Sequence, residues 1–456
     1  MTDETTSGAN ADCNADWEAD QRTLKRDTLR GAIVNGTGLA LGILTQVVLA
    51  KTLSIEGYGI YTYVITMLGL IMLATRHGWD VVLIRYVAAY REREEWGPLR
   101  GLLRRGFTLP LIVTGIAAVG LGLVGVGLDT EFGWALVAGA PVLVVMAALT
   151  TTVGALNGLG RVVFGVGLQS LLAPIVFLSL IVLASLTNRP LAGEETLLLF
   201  GAATLLATLW GGFVTARELG ALNLKAYAPV YRTQEWLRVA IPLSIAVGAD
   251  LLLRRTDVLL VGALMGTTQA GIYRVGVLAA VAALTVVVAV ELAMLPLCSR
   301  QFASGNVDSL RRLVRLAALI SFVATILGAL GIWVLGEPIL RWVHVEFAEA
   351  YPALLVLMGG QLVAQLFGPT RGLAMMASEQ RAAAWASGIG VGLNVALNLV
   401  LIPLHGLVGA ALATAIALLL TRVGLWFHLR RAIGVDTSIL SMILPTPPAP
   451  AWAKES

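Results

Sequence analysis

The chain has 456 residues, 57% hydrophobic and only 13% charged, with a formal net charge of +4 and a mean hydropathy of +0.82. Soluble globular chains carry about 25% charged residues, so a water-soluble domain is excluded and a polytopic membrane protein is expected. The isoelectric point near 9.2 does not point to nucleic acid, because basic residues confined to loops between apolar spans are topology signals.

In chain order, residues 1–30 form a polar tail containing Asp3, Glu4, Asp12, Asp16, Glu18 and Asp20. It lacks a basic n-region, so no cleavable signal peptide is expected. At about 20 residues per span, apolar runs predict helices near 31–50, 58–80, 106–127, 132–157, 162–187, 196–216, 239–265, 269–297, 313–335, 350–377, 381–403 and 405–428. The second is expected to continue as an amphipathic arm from Trp79 to Glu95. Residues 432–456 form a Pro-rich C-terminal tail, of which Pro445–Ser456 is expected to be disordered.

These twelve spans put both termini on one side, and the loops say which. Arg22, Lys25, Arg26 and Arg30 precede the first span, Arg85, Arg91, Arg93, Arg100, Arg104 and Arg105 follow the second, and Arg217, Lys225, Arg232 and Arg238 lie between the sixth and seventh. The alternate loops hold little beyond Lys51, Arg189 and Arg341. Basic residues stay in the cytoplasm, so a plasma-membrane protein with both termini cytoplasmic is expected.

An internal repeat divides the chain. Gly59-Ile60-Tyr61 and Gly271-Ile272-Tyr273 each begin a helix after a short turn, 212 residues apart, and Pro98–Arg104 answers Ser309–Arg315 at an offset of 211. A repeat of six helices gives two copies of equal orientation, related by an axis along the membrane normal. The expected fold is therefore an all-α integral membrane protein of about twelve transmembrane helices in two six-helix lobes with pseudo-two-fold symmetry. The N-lobe spans 31–216, a basic cytoplasmic linker 217–238 and the C-lobe 239–431. In such architectures a substrate site lies between the lobes near the midplane.

The seventh span, Pro242–Gly262, carries Asp250, Arg254, Arg255 and Asp257. A charge at the bilayer centre costs about 3 kcal/mol on insertion scales, so such residues face a protein interior or a wet cavity. Helical spacing puts Asp250, Arg254 and Asp257 on one face and turns Arg255 about 100° away. Arg254 is thus expected to be held by its acids and Arg255 to be the freer ligand. Arg274 on the eighth span and Arg371 beyond Pro369 on the tenth are further cavity candidates, against a plain snorkelling role for Arg274. Asp250, Asp257 and Glu291 are structural or coupling charges, and Arg76, Asp80 and Arg85 sit at the cytoplasmic mouth of the second span. Four deep arginines against three acids favour an anionic substrate, because the planar guanidinium donates two hydrogen bonds at once to phosphate.

Other motifs have plain explanations. Gly120-Leu-Gly122-Leu-Val-Gly125 spells a dinucleotide fingerprint but lies inside an apolar span, where it serves helix packing. There is no GxxxxGK[ST] sequence for ATP. His77, His344, His405 and His428 are dispersed, and Cys13 and Cys298 have no CxxC spacing, so no metal or cofactor is expected. No catalytic triad or paired-carboxylate centre assembles, and a non-enzymatic transporter is the expectation.

Leu49-Ala-Lys with Glu56-Gly-Tyr-Gly-Ile-Tyr61, Gly78-Trp-Asp with Arg85-Tyr-Val-Ala-Ala-Tyr90, Asp257–Gly262 with Gly271-Ile-Tyr273, and Asn394–Asn398 with Pro403-Leu-His-Gly406 through Thr414 stand in a fixed order. Together they resemble the polysaccharide-biosynthesis flippases of the multidrug, oligosaccharidyl-lipid and polysaccharide exporter superfamily, from about Leu24 to Arg431. The resemblance implies translocation of a lipid-linked oligosaccharide, on an undecaprenyl or dolichyl diphosphate carrier, from the cytoplasmic to the outer leaflet. It also implies that Arg254, Arg255 and Arg274 contact the diphosphate. Membrane lipids and glycan-assembly enzymes are the expected partners. Many relatives have fourteen spans, and this chain is expected to have twelve. The rival readings are a cation-coupled multidrug exporter, which would want a buried acid in the first lobe, where the first span offers only Asn35, Thr37, Thr45 and Gln46, and a membrane glycan polymerase or ligase, which would want a long outer loop.

Overall fold

The computed structural model describes residues 33–76, 78–186, 191–304, 306–377 and 379–442. Apolar runs become helices because lipid offers the backbone no hydrogen-bond partner outside its own chain. The elements are α1 (Ile33–Thr52), α2 (Ile55–Arg76), α3 (Trp79–Glu92), α4 (Trp96–Leu128), α5 (Glu131–Gly158), α6 (Val162–Ser185) and α7 (Gly193–Ala221). After the connection come α8 (Thr233–Met265), α9 (Thr267–Ala283), α10 (Thr285–Ala303), α11 (Val307–Val343), α12 (Tyr351–Gln365), α13 (Thr370–Met376) and α14 (Gln380–Ala432).

Among the described residues, ten helices are long and apolar enough to cross a membrane. One of them, α14, is two spans folded at Gly406, whose φ of 59° and ψ of −135° leave the helical region. With α9 joined to α10, already among the ten, as one crossing interrupted at Leu284, the charged α8 completes twelve crossings in two six-helix lobes. Many hydroxyls inside the spans are satisfied along their own helices: Thr45 donates to the Leu41 carbonyl (2.8 Å), Thr204 to Phe200 (2.7 Å) and Thr325 to Ser321 (2.7 Å). Caps fix the ends. Ser54 Oγ accepts from Gly57 N (3.0 Å), Thr130 Oγ1 from Gly133 N (3.0 Å) and Asn306 Oδ1 from Ser309 N (2.9 Å). The lipid side is bare hydrocarbon, as on α4, where Ile116 and Leu123 are each 69% exposed.

The arm after the second span forms α3, set off by Gly78 at φ 67°. It buries Trp79, Val82, Leu83, Val87 and Tyr90, one face of a helix. Together with Trp236 and Ala240 of α8 these side chains make one apolar cluster at the end that carries the arginine-rich loops, the basic end. Trp236 Nε1 donates to Tyr90 Oη (3.1 Å) and its ring meets Trp79 edge-on at 6.2 Å. The first turns of α8 are therefore anchored on the first lobe, and the helix passes to the second lobe along its length. The expected linker, 217–238, narrows to 222–232, because α7 runs on to Ala221 and α8 begins at Thr233.

The first part of the C-terminal segment is packed. Residues 433–442 pack into the basic end of the second lobe: Asp436 is 5% exposed, accepts from Trp426 Nε1 (2.8 Å) and from Ser438 N (2.9 Å), and Thr437 donates to the Phe367 carbonyl (2.7 Å). The Pro-rich residues 443–456 and the tail 1–32 lie outside the described residues.

The two ends are packed differently. At the end opposite the basic loops, a single apolar cluster includes Tyr58 and Tyr61 of the first lobe with Val258, Ile272 and Phe347 of the second. At the basic end, the first lobe's cluster around Trp79 and the second lobe's cluster around Met294 and Leu310 are separate. Among the described residues the lobes share one apolar core at the first end and have separate ones at the other, the parted end, which only α8 bridges in these clusters.

Candidate functional site

The joined end is built from the repeat itself. Gly59 of α2 and Gly271 of α9, equivalent positions in the two copies, abut: a Cβ on Gly271 would come within 2.7 Å of the Gly59 Cα, and one on Gly59 within 2.5 Å of the Thr267 carbonyl oxygen. Backbone contact this close requires glycine on both sides. Tyr58 adds an edge-on contact to Phe347 at 5.6 Å, and Lys51 lies 3.1 Å over the Trp342 ring.

Just inside this seal sit two arginines. At 1.5 Å per residue, Arg274 is about 10 Å from the start of α9 and Arg255 about 15 Å from the end of α8. Both depths fall within a hydrocarbon core about 30 Å thick. Arg255 reaches the facing lobe, where its guanidinium occupies the space a Cβ on Gly69 of α2 would need. Arg274 acts electrostatically on Arg255, on Asp257 and on Tyr58 across the lobe boundary. Two like charges are thus held near one another between the lobes.

Asp257 draws its described partners from three helices. Its carboxylate is 3% exposed and accepts from its neighbour Val258 N (2.8 Å), from Tyr273 Oη (3.0 Å) and from Thr414 Oγ1 (3.4 Å). The network continues through Asn394, which donates to Thr414 Oγ1 (3.2 Å), and Asn398, which donates to the Asn394 side-chain oxygen (3.1 Å). Both asparagines are fully buried, and Asn398 Oδ1 has no partner among the described residues. The segments carrying Asp257, Asn394 and Thr414 share the family resemblance, but nothing local in them announced that they meet. Asp250 and Arg254 also lie on α8; their side chains fall outside the described residues.

The other sequence candidates lie apart. Arg371 is exposed at the start of α13, where Gly368 (φ 69°) and Pro369 break the tenth span. Some twenty residues beyond the start of α12, it sits on the order of 20 Å nearer the basic end than Arg274. Glu291 faces Arg422 at 3.8 Å, and Arg422 also bonds the Gln365 side chain (2.5 Å) and the Gly368 carbonyl (3.0 Å). Arg76 pairs with Asp80 at 3.5 Å on the turn into α3, and Arg85 is exposed beside the Tyr86 ring at 5.8 Å. The arrangement therefore brings together Arg255, Arg274 and Asp257 and leaves Arg371 and Glu291 in a separate group. Among the described residues, no group of His, Cys, Asp and Glu could hold a metal ion.

A family profile described as polysaccharide biosynthesis protein matches residues 24–302, and the MatE profile matches 242–400. No curated protein sequence matches the chain. Among solved structures, the fold is similar to "Lipid II flippase MurJ, inward closed conformation", with a TM-score of 0.67 at 15% identity over 88% of this chain and 87% of that one. It is similar to an inward-facing multidrug resistance MATE family transporter of the MOP superfamily, with a TM-score of 0.67 at 14% identity over 87% and 94%. A Vibrio cholerae MATE transporter, VcmN D35N, matches with a TM-score of 0.54 at 14% identity over 88% and 94%.

Proposed function

The chain belongs to the family of polysaccharide biosynthesis proteins, and from that premise we propose that it flips a polyprenyl-diphosphate-linked oligosaccharide from the cytoplasmic to the outer leaflet by alternating access. The basic end is the cytoplasmic one on the positive-inside rule, so the parted end receives the lipid-linked glycan from the inner leaflet. The observation that carries the reading is the pair Arg255 and Arg274 between the lobes, with Asp257 beside them already occupied by Tyr273 and Thr414.

Two guanidinium charges near each other repel, and a diphosphate diester with two negative charges turns that repulsion into attraction. Each charge-assisted hydrogen bond contributes about 1.5–3 kcal/mol. Because Arg255 spans to Gly69 in the facing lobe, the bound diphosphate draws the lobes together at the parted end. Release follows when the glycine contact at Gly59 and Gly271 opens. Asp257 is the coupling group: a single buried carboxylate linking α8, α9 and α14 changes the balance of that network when it takes up or loses a proton or cation. Reconstitution in liposomes tests the reading. Flipping of a labelled polyprenyl-diphosphate sugar should fall about a hundredfold in the Arg255→Ala, Arg274→Ala double variant, the loss of about 2.7 kcal/mol; unchanged flipping by stably folded protein refutes it.

A second reading, a cation-coupled multidrug exporter, is favoured by the MatE match over 242–400 and by the buried acid Asp257. It is the better account if the same liposomes expel a cationic dye along an ion gradient and leave the lipid-linked sugar untouched.

A further inference from the structure

The first lobe holds a cavity of about 190 Å³ among α1, α2, α5, α6 and α7 that the diphosphate reading does not use. At the ~30 Å³ each water occupies in the liquid it has room for about six waters, the scale of one sugar ring. We propose that this cavity is a subsite for an uncharged hexopyranose, the carbohydrate unit next to the diphosphate; the placement beside the diphosphate rests on the flippase reading above.

The lining chemistry carries the proposal. Apart from Tyr61, no ionisable side chain lines the cavity among the described residues. The hydroxyls of Thr45, Thr150 and Thr204 give their protons to their own helices, to Leu41 (2.8 Å), Ala147 (3.0 Å) and Phe200 (2.7 Å). Their oxygens are left as acceptors, which suits a ligand rich in hydroxyl donors. Gln46 Oε1 accepts from Tyr58 Oη (3.2 Å), leaving its amide to donate, and the Gln169 amide makes no hydrogen bond among the described residues. Both carboxamides line the same space.

One wall is aromatic. Tyr61 stacks on Phe177 (6.1 Å between centroids, 28°), and Phe177 meets Phe200 edge-on at 5.2 Å. A pyranose presents an apolar C–H face to such rings and its hydroxyls to the rim, so acceptors, donors and aromatic wall together match a neutral sugar better than an acyl chain or a cation. Gln169 stands on a π-turn, Leu168–Leu172, a distortion that recurs at functional sites. Tyr61, on the cavity wall, lies within electrostatic range of Arg274.

Saturation-transfer NMR on the protein in lipid nanodiscs, with methyl glucopyranoside as probe, reads the subsite without any diphosphate. Transfer to the sugar is expected in the wild type and should fall at least fivefold in Gln169→Leu, an isosteric change at an exposed position, and in the cavity-filling Ala173→Phe. In the flipping assay the same variants should lower the rate for a polyprenyl-diphosphate hexose about tenfold more than for the bare polyprenyl diphosphate. Absence of transfer in the wild type, equal transfer in a Gln169→Leu protein of unchanged thermal midpoint, or equal losses for the two lipids overturns the proposal. Failure of the arginine variants to affect flipping refutes the diphosphate reading alone, because the NMR result stands without it.

Discussion

Thr45 and Asp257 are 212 residues apart, and so are Tyr61 and Tyr273; the repeat makes each pair equivalent. In the second lobe Tyr273 donates to Asp257, and the carboxylate anchors a buried network of Thr414, Asn394 and Asn398. In the first lobe the same two positions are a hydroxyl satisfied by its own helix and a tyrosine stacked on Phe177, and both line a neutral cavity. One architecture thus houses a charge on one side and an uncharged pocket on the other. A buried charge fixes its neighbours through hydrogen bonds and can respond to a proton or cation, whereas a neutral pocket is free to take a ligand.

Exchanging the two chemistries is the most severe way to break that comparison. Asp257→Asn keeps an acceptor for Tyr273 and deletes the charge; transport in liposomes is expected to fall more than tenfold while the folded yield is retained. The reciprocal Thr45→Asp buries an uncompensated carboxylate, at a cost of several kcal/mol, and should appear as a lowered thermal midpoint. At the lobe boundary, Gly271→Leu cannot fit against the Gly59 backbone, so closure at that end is lost and the flipping rate should drop about tenfold, a barrier change of about 1.4 kcal/mol. A milder change, Gly69→Ala, displaces the Arg255 guanidinium; affinity for a polyprenyl diphosphate, measured by titration, should weaken about fivefold, or about 1 kcal/mol. The smallest effect on transport belongs to the packed C-terminal segment, where Asp436→Ala strips the acceptor from Trp426 and Ser438. Leaving buried donors unpaired costs about 1–3 kcal/mol of stability, readable as a lower thermal midpoint with little loss of rate.

The sequence was most informative where lipid restricts the choices. With no water to pair the backbone, each apolar run has to be a helix, so the twelve spans and the amphipathic face of α3 could be read from composition and period alone, with the eleventh and twelfth spans parted at 404, two residues before the turn at Gly406. The repeat gave the two lobes, and the Gly-Ile-Tyr copies that revealed it are the residues that meet across them. The candidate site was legible only in part. Arg255, Arg274 and Asp257 stand out as charges in apolar runs, but nothing in helix spacing indicated that the Asp257 carboxylate accepts from Tyr273 and Thr414.

What the sequence by itself determined is therefore the number of spans, their grouping into lobes, the sign of the charge at each end and the residue types available at mid-depth. Tertiary structure alone decided that Arg255 lies against Gly69, that Thr414 reaches Asp257, that α8 begins on the first lobe, that Arg371 sits apart, and that neutral side chains from five helices enclose one cavity. The physical reason is one of range. Helix formation depends on hydrophobicity and hydrogen bonding within a few residues, whereas these contacts join residues as many as 186 positions apart, and they depend on the rotation of each helix about its own axis, which is set by packing against its neighbours.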